Sequence, residues 1–286
     1  MTTGVNTAFE DHGLAAVKDL ILQFEQAALG FALIGVSHDR VSHFGGKAHA
    51  PKGFAWPQNR GRKLDLLLQI CLADIRGQIP EWSLPGDGVL SFFYDLEDQP
   101  WGYDPKNLDG FHVAYFESHD LVVTENPNVD YVLPSLGLEF FPVRTLPHQG
   151  SRAYDRLVEQ LDVNLADRYF DFVEDFERNQ YPPRGGMHRL FGHSANIQGD
   201  MQLEAQLVTN GLYCGDSSGY NNRKRRDLEG GADDWTLLLQ LDSDDLDADD
   251  ETEIMWGDTG MLYFWIRQQE LKEVSFRNVW MTMQCC

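Results

Sequence analysis

The sequence predicts an α+β protein with mainly antiparallel sheets from an internal duplication, with an N-terminal helix and a helical segment between the halves. Two observations lead to this expectation. The strand-like segment Leu66–Gln69 recurs as Leu237–Gln240, and an amphipathic stretch lies between the two copies at 151–180. We expect one compact domain over residues 1–286, with related halves at about 31–150 and 184–286 joined by residues 151–183.

The first predicted element is a helix over residues 8–29. Its apolar residues recur at intervals of three and four, which is the helical period, and Gly30 stands where a helix C-cap is common. Residues 31–57 are rich in glycine and proline, so they predict a loop with short extended pieces.

Three strands are predicted next, at 65–73, 89–94 and 111–118. The first is a continuous apolar run interrupted by Gln69, a pattern typical of a buried strand. A glycine-containing turn and no helical pattern separate these segments, and this arrangement favours antiparallel pairing.

The middle of the chain predicts an amphipathic helix over residues 151–180. Apolar side chains repeat at intervals of three and four, and acids and bases fill most other positions. We expect a break near Asn164 and an end at Tyr181-Pro182-Pro183, because proline cannot continue a helix.

The second half repeats the order of the strand-like segments. LLLQI, GVLSFF and FHVAYF in the first half are matched in order by LLLQL, GMLYFW and FRNVWM in the second. The spacing from Gln69 to Gly88 is nearly the same as that from Gln240 to Gly260. One shared pentapeptide could arise by chance, but three ordered segments at similar spacing indicate a duplication. Its period is much longer than the roughly 20–50 residues of a solenoid repeat.

These segments also carry a resemblance to a known family. The shared elements are Phe44-Gly45-Gly46, Pro51-Lys52-Gly53, Trp56-Pro57, Leu68-Gln69-Ile70, Gly88–Phe93, Gly192, Ile197–Asp200, Leu239-Gln240-Leu241 and Trp256–Phe264. In these elements the chain resembles the bacterial YwqG-like family, a large family of unknown function. The resemblance implies a duplicated α+β fold in a cytosolic bacterial protein, and a place near toxin–immunity genes, which suggests binding. The resemblance implies no catalytic residues. The chain departs from the family pattern after Gly45-Gly46, where Lys47-Ala48 stands in place of the family's proline.

The charge balance excludes several classes of partner. The chain has 45 acids against 23 lysines and arginines, and a net charge of −22. Nucleic acids and anionic membranes require clustered bases, so neither is expected as a partner. No basic stretch leads into an apolar one at the N-terminus, and the four cysteines show no disulfide or metal spacing. We therefore expect a cytoplasmic protein without a cofactor.

An acidic run follows the second LLLQ segment and is the first candidate binding surface. Eight acids and no base lie between residues 242 and 253: Asp242, Asp244, Asp245, Asp247, Asp249, Asp250, Glu251 and Glu253. Calcium-loop frames that begin at Asp242 or Asp245 both lack the required glycine, so no metal site is predicted. The run is interpreted either as a solvated acidic loop or as a contact patch for a basic protein.

The repeated glutamines indicate a second candidate site. A buried amide must find hydrogen-bond partners, so Gln69 and Gln240 either satisfy irregular backbone or face a shared cleft between the halves. In the cleft interpretation the other candidates are Trp56, His193, Gln198, Trp256 and Asp258. Clefts between subdomains are common ligand sites.

Other motifs give no catalytic residue. The GDSSG segment around Ser217 has no neighbouring motif that could supply a base, and the histidines lack zinc-site spacing. The basic run Arg223–Arg226 could bind phosphate or RNA, but a solvated loop paired with the protein's own acids is the preferred interpretation.

Two hypotheses for function follow. The first is a non-enzymatic protein-binding module, of the toxin-immunity type in its most specific form, which meets a basic partner through the acidic run. The alternative is a small-molecule-binding protein or enzyme that uses a cleft between the halves.

Overall fold

The computed structural model describes residues 2–37, 41–78, 84–125, 127, 133–245 and 253–285. Short 3₁₀ turns accompany eight α-helices in this part of the chain. The helices are α1 (Thr2–Asp11), α2 (Lys18–Leu22), α3 (Arg152–Val158), α4 (Val163–Arg178), α5 (Met201–Val208), α6 (Ser217–Tyr220), α7 (Arg225–Leu228) and α8 (Gln268–Lys272).

Most of the strands belong to one large sheet. The strands are β1 (Gln26–Val36), β2 (His43–Phe44), β3 (Ala48–Pro51), β4 (Gln58–Asn59), β5 (Arg62–Lys63), β6 (Asp65–Cys71), β7 (Val89–Tyr94), β8 (Phe111–Phe116), β9 (Leu121–Thr124), β10 (Leu136–Thr145), β11 (His188–Leu190), β12 (Trp235–Asp242), β13 (Asp244–Asp245), β14 (Glu253–Ile254), β15 (Met261–Arg267) and β16 (Trp280–Gln284).

The large sheet has ten strands in the order β16-β15-β12-β11-β1-β10-β2-β6-β7-β8. Each of its recorded pairs is antiparallel, and β3-β9, β4-β5 and β13-β14 form three small antiparallel sheets. The predicted α+β class with mainly antiparallel sheets is confirmed.

The order of strands is the same on both sides of the central β1–β10 pair. Outward from β10 the order is β2, β6, β7 and β8, and outward from β1 it is β11, β12, β15 and β16. Both LLLQ strands carry a bulge at the same place, between Leu66 and Leu68 and between Leu237 and Leu239. The segments that match in sequence therefore occupy matching places in the sheet.

The sheet curls until its two edges approach each other. The rings of Phe111 on β8 and Trp280 on β16 lie 5.2 Å apart, centroid to centroid. The Trp280 indole N–H donates to the Gly102 carbonyl at 2.9 Å, and Phe92 packs against Phe264 inside the curl. One apolar core is therefore formed by strands from both sides of the central pair.

The central pair was not predicted. Residues 26–36, expected as the end of a helix and a loop, form β1, and β10 was not predicted at all. Ala28–Phe31 are buried in succession, because a strand covered on both faces shows no alternation of apolar and polar residues. Gly30 is not a helix cap: it faces Phe141 across the ladder, and a Cβ added there would lie 2.5 Å from the Phe141 ring.

The helix predicted over residues 8–29 is wrong as a single element: α1 ends at Asp11, Gly13 takes a left-handed conformation that a helix cannot continue through, and a 3₁₀ turn and the short α2 follow. The predicted strands of the first half match more closely. Strand β7 has the predicted limits, while β6 and β8 end two residues earlier than expected. The middle helical segment is confirmed as α3 and α4, with its break at 159–162. The second helix begins there because the Asp162 side chain accepts from the Leu165 N–H at 3.0 Å.

A buried ion pair joins α4 to the sheet. Arg189 on β11 and Glu177 on α4 are both fully buried, and the Arg189 Nη1 donates to the Glu177 Oε2 at 2.5 Å. The other carboxylate oxygen accepts from the Leu146 N–H at 3.0 Å. Burial by itself would raise the pKa of Glu177, but the charge of Arg189 and the neighbouring His148 outweigh it and hold the pKa at about 2.

Replacing Glu177 should strongly destabilise the fold. Glu177→Gln leaves the Arg189 charge buried without its partner, which we expect to lower the free energy of unfolding by about 3–5 kcal/mol. The difference from wild type should shrink as pH falls from 4.5 towards 2, where unfolded and then folded Glu177 become protonated. Urea denaturation across this pH range measures both effects.

The double variant Glu177→Leu/Arg189→Met is the control, since it removes both buried charges and should recover most of the loss. A double variant as unstable as Glu177→Gln would mean that the ion pair does not explain the effect.

Candidate functional site

The acidic run forms a hairpin. Strands β13 and β14 pair through Asp244 with Ile254 and Asp245 with Glu253. We call residues 242–254 the acidic hairpin. The segment that connects its strands carries Asp247, Asp249, Asp250 and Glu251, and these four residues lie outside the described part of the chain.

Two of the eight acids, Asp242 and Asp244, form hydrogen bonds with the segment around β11. The Asp242 Oδ2 accepts from the Met187 N–H at 2.7 Å, and burial raises the pKa of this carboxyl. The Asp244 carboxylate lies 2.9 Å from the Nε2 of His188, and both side chains are buried. The Asp242 N–H donates to the His188 Nδ1 at 3.0 Å, so the ring proton lies on Nε2 and points to Asp244. Asp242 and Asp244 therefore fasten the hairpin to β11.

Trp256 fastens the other end of the hairpin. Its indole N–H donates to the Asp242 carbonyl at 3.0 Å, and its backbone N–H donates to the Ser243 hydroxyl at 3.0 Å. The Ser243 hydroxyl in turn donates to the Gly260 carbonyl at 2.8 Å. Trp256 is 1% exposed, so this predicted cleft residue acts as a core anchor.

The two repeated glutamines are fully buried and bind backbone. The Gln69 amide accepts from the His49 N–H at 2.7 Å and donates to the His49 carbonyl at 3.1 Å. The Gln240 amide accepts from the Ala195 N–H and donates to the Met187 carbonyl, both at 2.9 Å. The Gln69 amide thus binds the backbone of the short strand β3, the Gln240 amide binds backbone outside the strands, and neither buried amide is open to a ligand.

The remaining predicted cleft residues do not meet at one place. Trp56 is buried with Phe93 and Phe116. The His193 Nε2 lies 2.7 Å from the Phe24 carbonyl, and burial lowers the pKa of this ring to about 4. Gln198 donates its backbone N–H to Gln284, while Asp258 is exposed next to Thr259.

A groove between the two sides of the fold is lined by other residues. It measures about 390 Å³, within the usual range for ligand pockets. Pro105 and Leu108 form one wall, and the C-terminal end of α5, the start of β12, α8 and the start of β16 form the rest. We call it the seam groove.

The basic group of the seam groove is Arg267, and Thr209, Glu270 and Asn278 are its other polar lining residues. Its guanidinium lies over the Trp235 ring, 4.4 Å from the centroid, and the two residues are directly opposite each other on β15 and β12. The Trp235 indole N–H donates to Gln206 at 3.0 Å, which fixes the ring. Trp235 lies two residues before the second LLLQ segment, and nothing in the sequence indicates that it pairs with Arg267.

Residues 42–285 match the family described as a domain of unknown function, DUF1963. The chain belongs to this family. No curated protein matches it at a significant level.

Neither a metal site nor a membrane span is found in the described part of this DUF1963 protein. No group of three or more His, Cys, Asp or Glu side chains there could hold a metal ion. No helix there combines the length and apolar character needed to cross a bilayer.

The two glutamines should be required for stability. Gln240→Leu leaves the Ala195 N–H and the Met187 carbonyl buried without partners, and we expect a loss of about 1–3 kcal/mol for each group. Gln69→Leu should behave similarly through His49. Thermal and urea unfolding measure both variants, and Gln160→Leu, at an exposed position between α3 and α4, should change stability by less than about 0.5 kcal/mol. Unchanged stability in both core variants would contradict the structural role.

Proposed function

We propose that this protein is a non-enzymatic protein-binding module whose partner is a basic protein. The observation that carries the proposal is the acidic hairpin, which combines a like-charged connection with a firmly fastened base. A run of like charges repels itself, so a partner that neutralises it would bind favourably. The protein's overall charge of −22 would also speed the approach of a basic partner.

More specific features belong to the same proposal. The sheet order around β1–β10 and the matching bulges support an internal duplication. The elements that resemble the YwqG-like family lie within residues 42–285, which supports a bacterial, immunity-type role. Cys71 and Cys214 are free thiols, consistent with a cytoplasmic location.

Neutralising the four acids that lie between β13 and β14 in the sequence tests the proposal. We expect Asp247→Asn/Asp249→Asn/Asp250→Asn/Glu251→Gln to weaken the complex with its partner at least about tenfold at low salt, because the attraction is electrostatic. The partner is identified by cross-linking to the wild-type chain in its native cell, and the purified pair is titrated by calorimetry at several salt concentrations.

The control neutralises four exposed acids elsewhere: Glu159→Gln/Asp167→Asn/Asp171→Asn/Glu174→Gln. It makes the same change in net charge, so it separates a local contact from general attraction. Equal weakening by both variants, or binding that does not respond to salt, would count against the hairpin as the contact surface.

The seam groove favours a second candidate function, the binding of a small molecule. The stacked Arg267 supplies a positive charge next to apolar walls, which suits a compound with an apolar body and one acidic group. In this second function the ligand would still bind between the halves, but at the residues of the seam groove and not at the cleft residues expected from the sequence.

Arg267→Gln should abolish such binding. Saturation-transfer NMR with benzoate and indole-3-acetate as probes should detect a millimolar complex with the wild type, about 4 kcal/mol in binding free energy. The signal should fall in Arg267→Gln and persist in Lys272→Gln, an exposed α8 residue that does not line the groove. A signal of equal size in both variants would place the probes elsewhere.

A further inference from the structure

The basic run forms the wall of a pocket. Residues 220–229, which include α7, surround a depression of about 570 Å³. Arg223, Arg225 and Arg226 line it together with the side chains of Asn221 and Asn222. We call this depression the basic pocket. It lies on a different part of the chain from the acidic hairpin and the seam groove.

Two of the three arginines form no ion pair within the part of the chain that the structure describes. The Arg225 Nε donates to the Glu229 Oε2 at 3.2 Å, so this arginine follows the expectation that the run pairs with the protein's own acids. Arg223 and Arg226 are exposed and form no ion pair with any acid in the described part of the chain. Acids outnumber bases about two to one in this sequence, so unpaired arginines that share one concave surface are unexpected.

The backbone around the pocket is fixed by its own hydrogen bonds. The Asn222 side-chain oxygen accepts from the Lys224 N–H at 3.0 Å, and the Asn222 carbonyl accepts from the Arg225 N–H at 3.0 Å. The Tyr220 hydroxyl donates to Glu204 on α5 at 3.0 Å, which ties the pocket to the body of the protein. The arginines therefore project from a preformed turn, which lowers the ordering cost of binding.

The chemistry of the lining selects an oxyanion. Guanidinium groups present paired N–H donors that match phosphate oxygens, and arginine is the preferred residue for such contacts. The Asn222 side-chain nitrogen remains a donor because its oxygen is the atom bound to Lys224. The lining carries three arginines against one acid, Glu229, and a concave surface with an excess of one charge raises the local concentration of counter-ions.

We propose that the basic pocket binds a phosphate-bearing small molecule, with Arg223 and Arg226 as its main contacts. A small ligand fits better than a nucleic acid strand. A strand would extend past the pocket across a protein of net charge −22, where its phosphates would be repelled. The volume is sufficient for a nucleotide-sized compound.

Calorimetric titration at low ionic strength tests this with inorganic phosphate, pyrophosphate and AMP. We expect saturable binding to the wild type and a loss of at least about tenfold in Arg223→Gln/Arg226→Gln. Equal affinity for phosphate and AMP would show that the phosphate group alone is recognised, and tighter binding of AMP would show that the pocket also contacts the nucleoside. Both results support the proposal.

The control is Lys272→Gln/Arg277→Gln, which removes the same charge from exposed positions outside the pocket. It should change affinity by less than about threefold, since distant surface charges are screened. Equal losses in the two double variants would overturn the proposal, as would the absence of saturable binding by all three compounds. Tight binding of a single-stranded oligonucleotide without binding of AMP would overturn it in favour of a nucleic acid site.

Discussion

The antiparallel pairing of β1 with β10 is the constraint on which the rest of the fold depends. These two strands run together from Gln26–Thr145 to Val36–Leu136, and every other strand of the large sheet joins one side or the other of this pair. The next strands are short: β2 contributes two residues and β11 three. The long central pair therefore supplies most of the backbone hydrogen bonds that hold the two arms of the sheet in one body.

Beside the short inner strands, some backbone N–H and C=O groups have no partner in a neighbouring strand of the large sheet. Buried side chains form hydrogen bonds with these groups. Gln69 binds the backbone of His49, Gln240 binds Ala195 and Met187, and the Glu177 carboxylate accepts from Leu146. Buried amide and carboxylate groups are stable only when such partners are present. The polar residues in the core are thus explained by the shape of the sheet, and they leave ligand binding to surfaces outside the core.

Charge is distributed unevenly over those surfaces. The acidic hairpin concentrates one sign and the basic pocket the other, although acids dominate the chain as a whole. His188 and Trp256 hold the hairpin, and the turn at Asn222 holds the pocket, so both surfaces rest on fixed backbone. The turn at Asn222 therefore presents the basic side chains of the pocket with a smaller loss of conformational entropy on binding than a mobile segment would.

The sequence by itself determined the α+β class, β7 and the two-helix middle segment, because apolar periodicity and capping residues act locally. It also predicted that both LLLQ segments form strands, as β6 and β12 do. Only the tertiary structure decided that residues 26–36 and 136–145 form the centre of the sheet, since neither strand alternates buried and exposed residues along its whole length and their pairing joins segments far apart in the chain. The contact of Arg267 with Trp235 was also decided by the tertiary structure, because residues far apart in sequence meet only in the folded chain. The same holds for Arg223 and Arg226, which form no ion pair with an acid among the described residues.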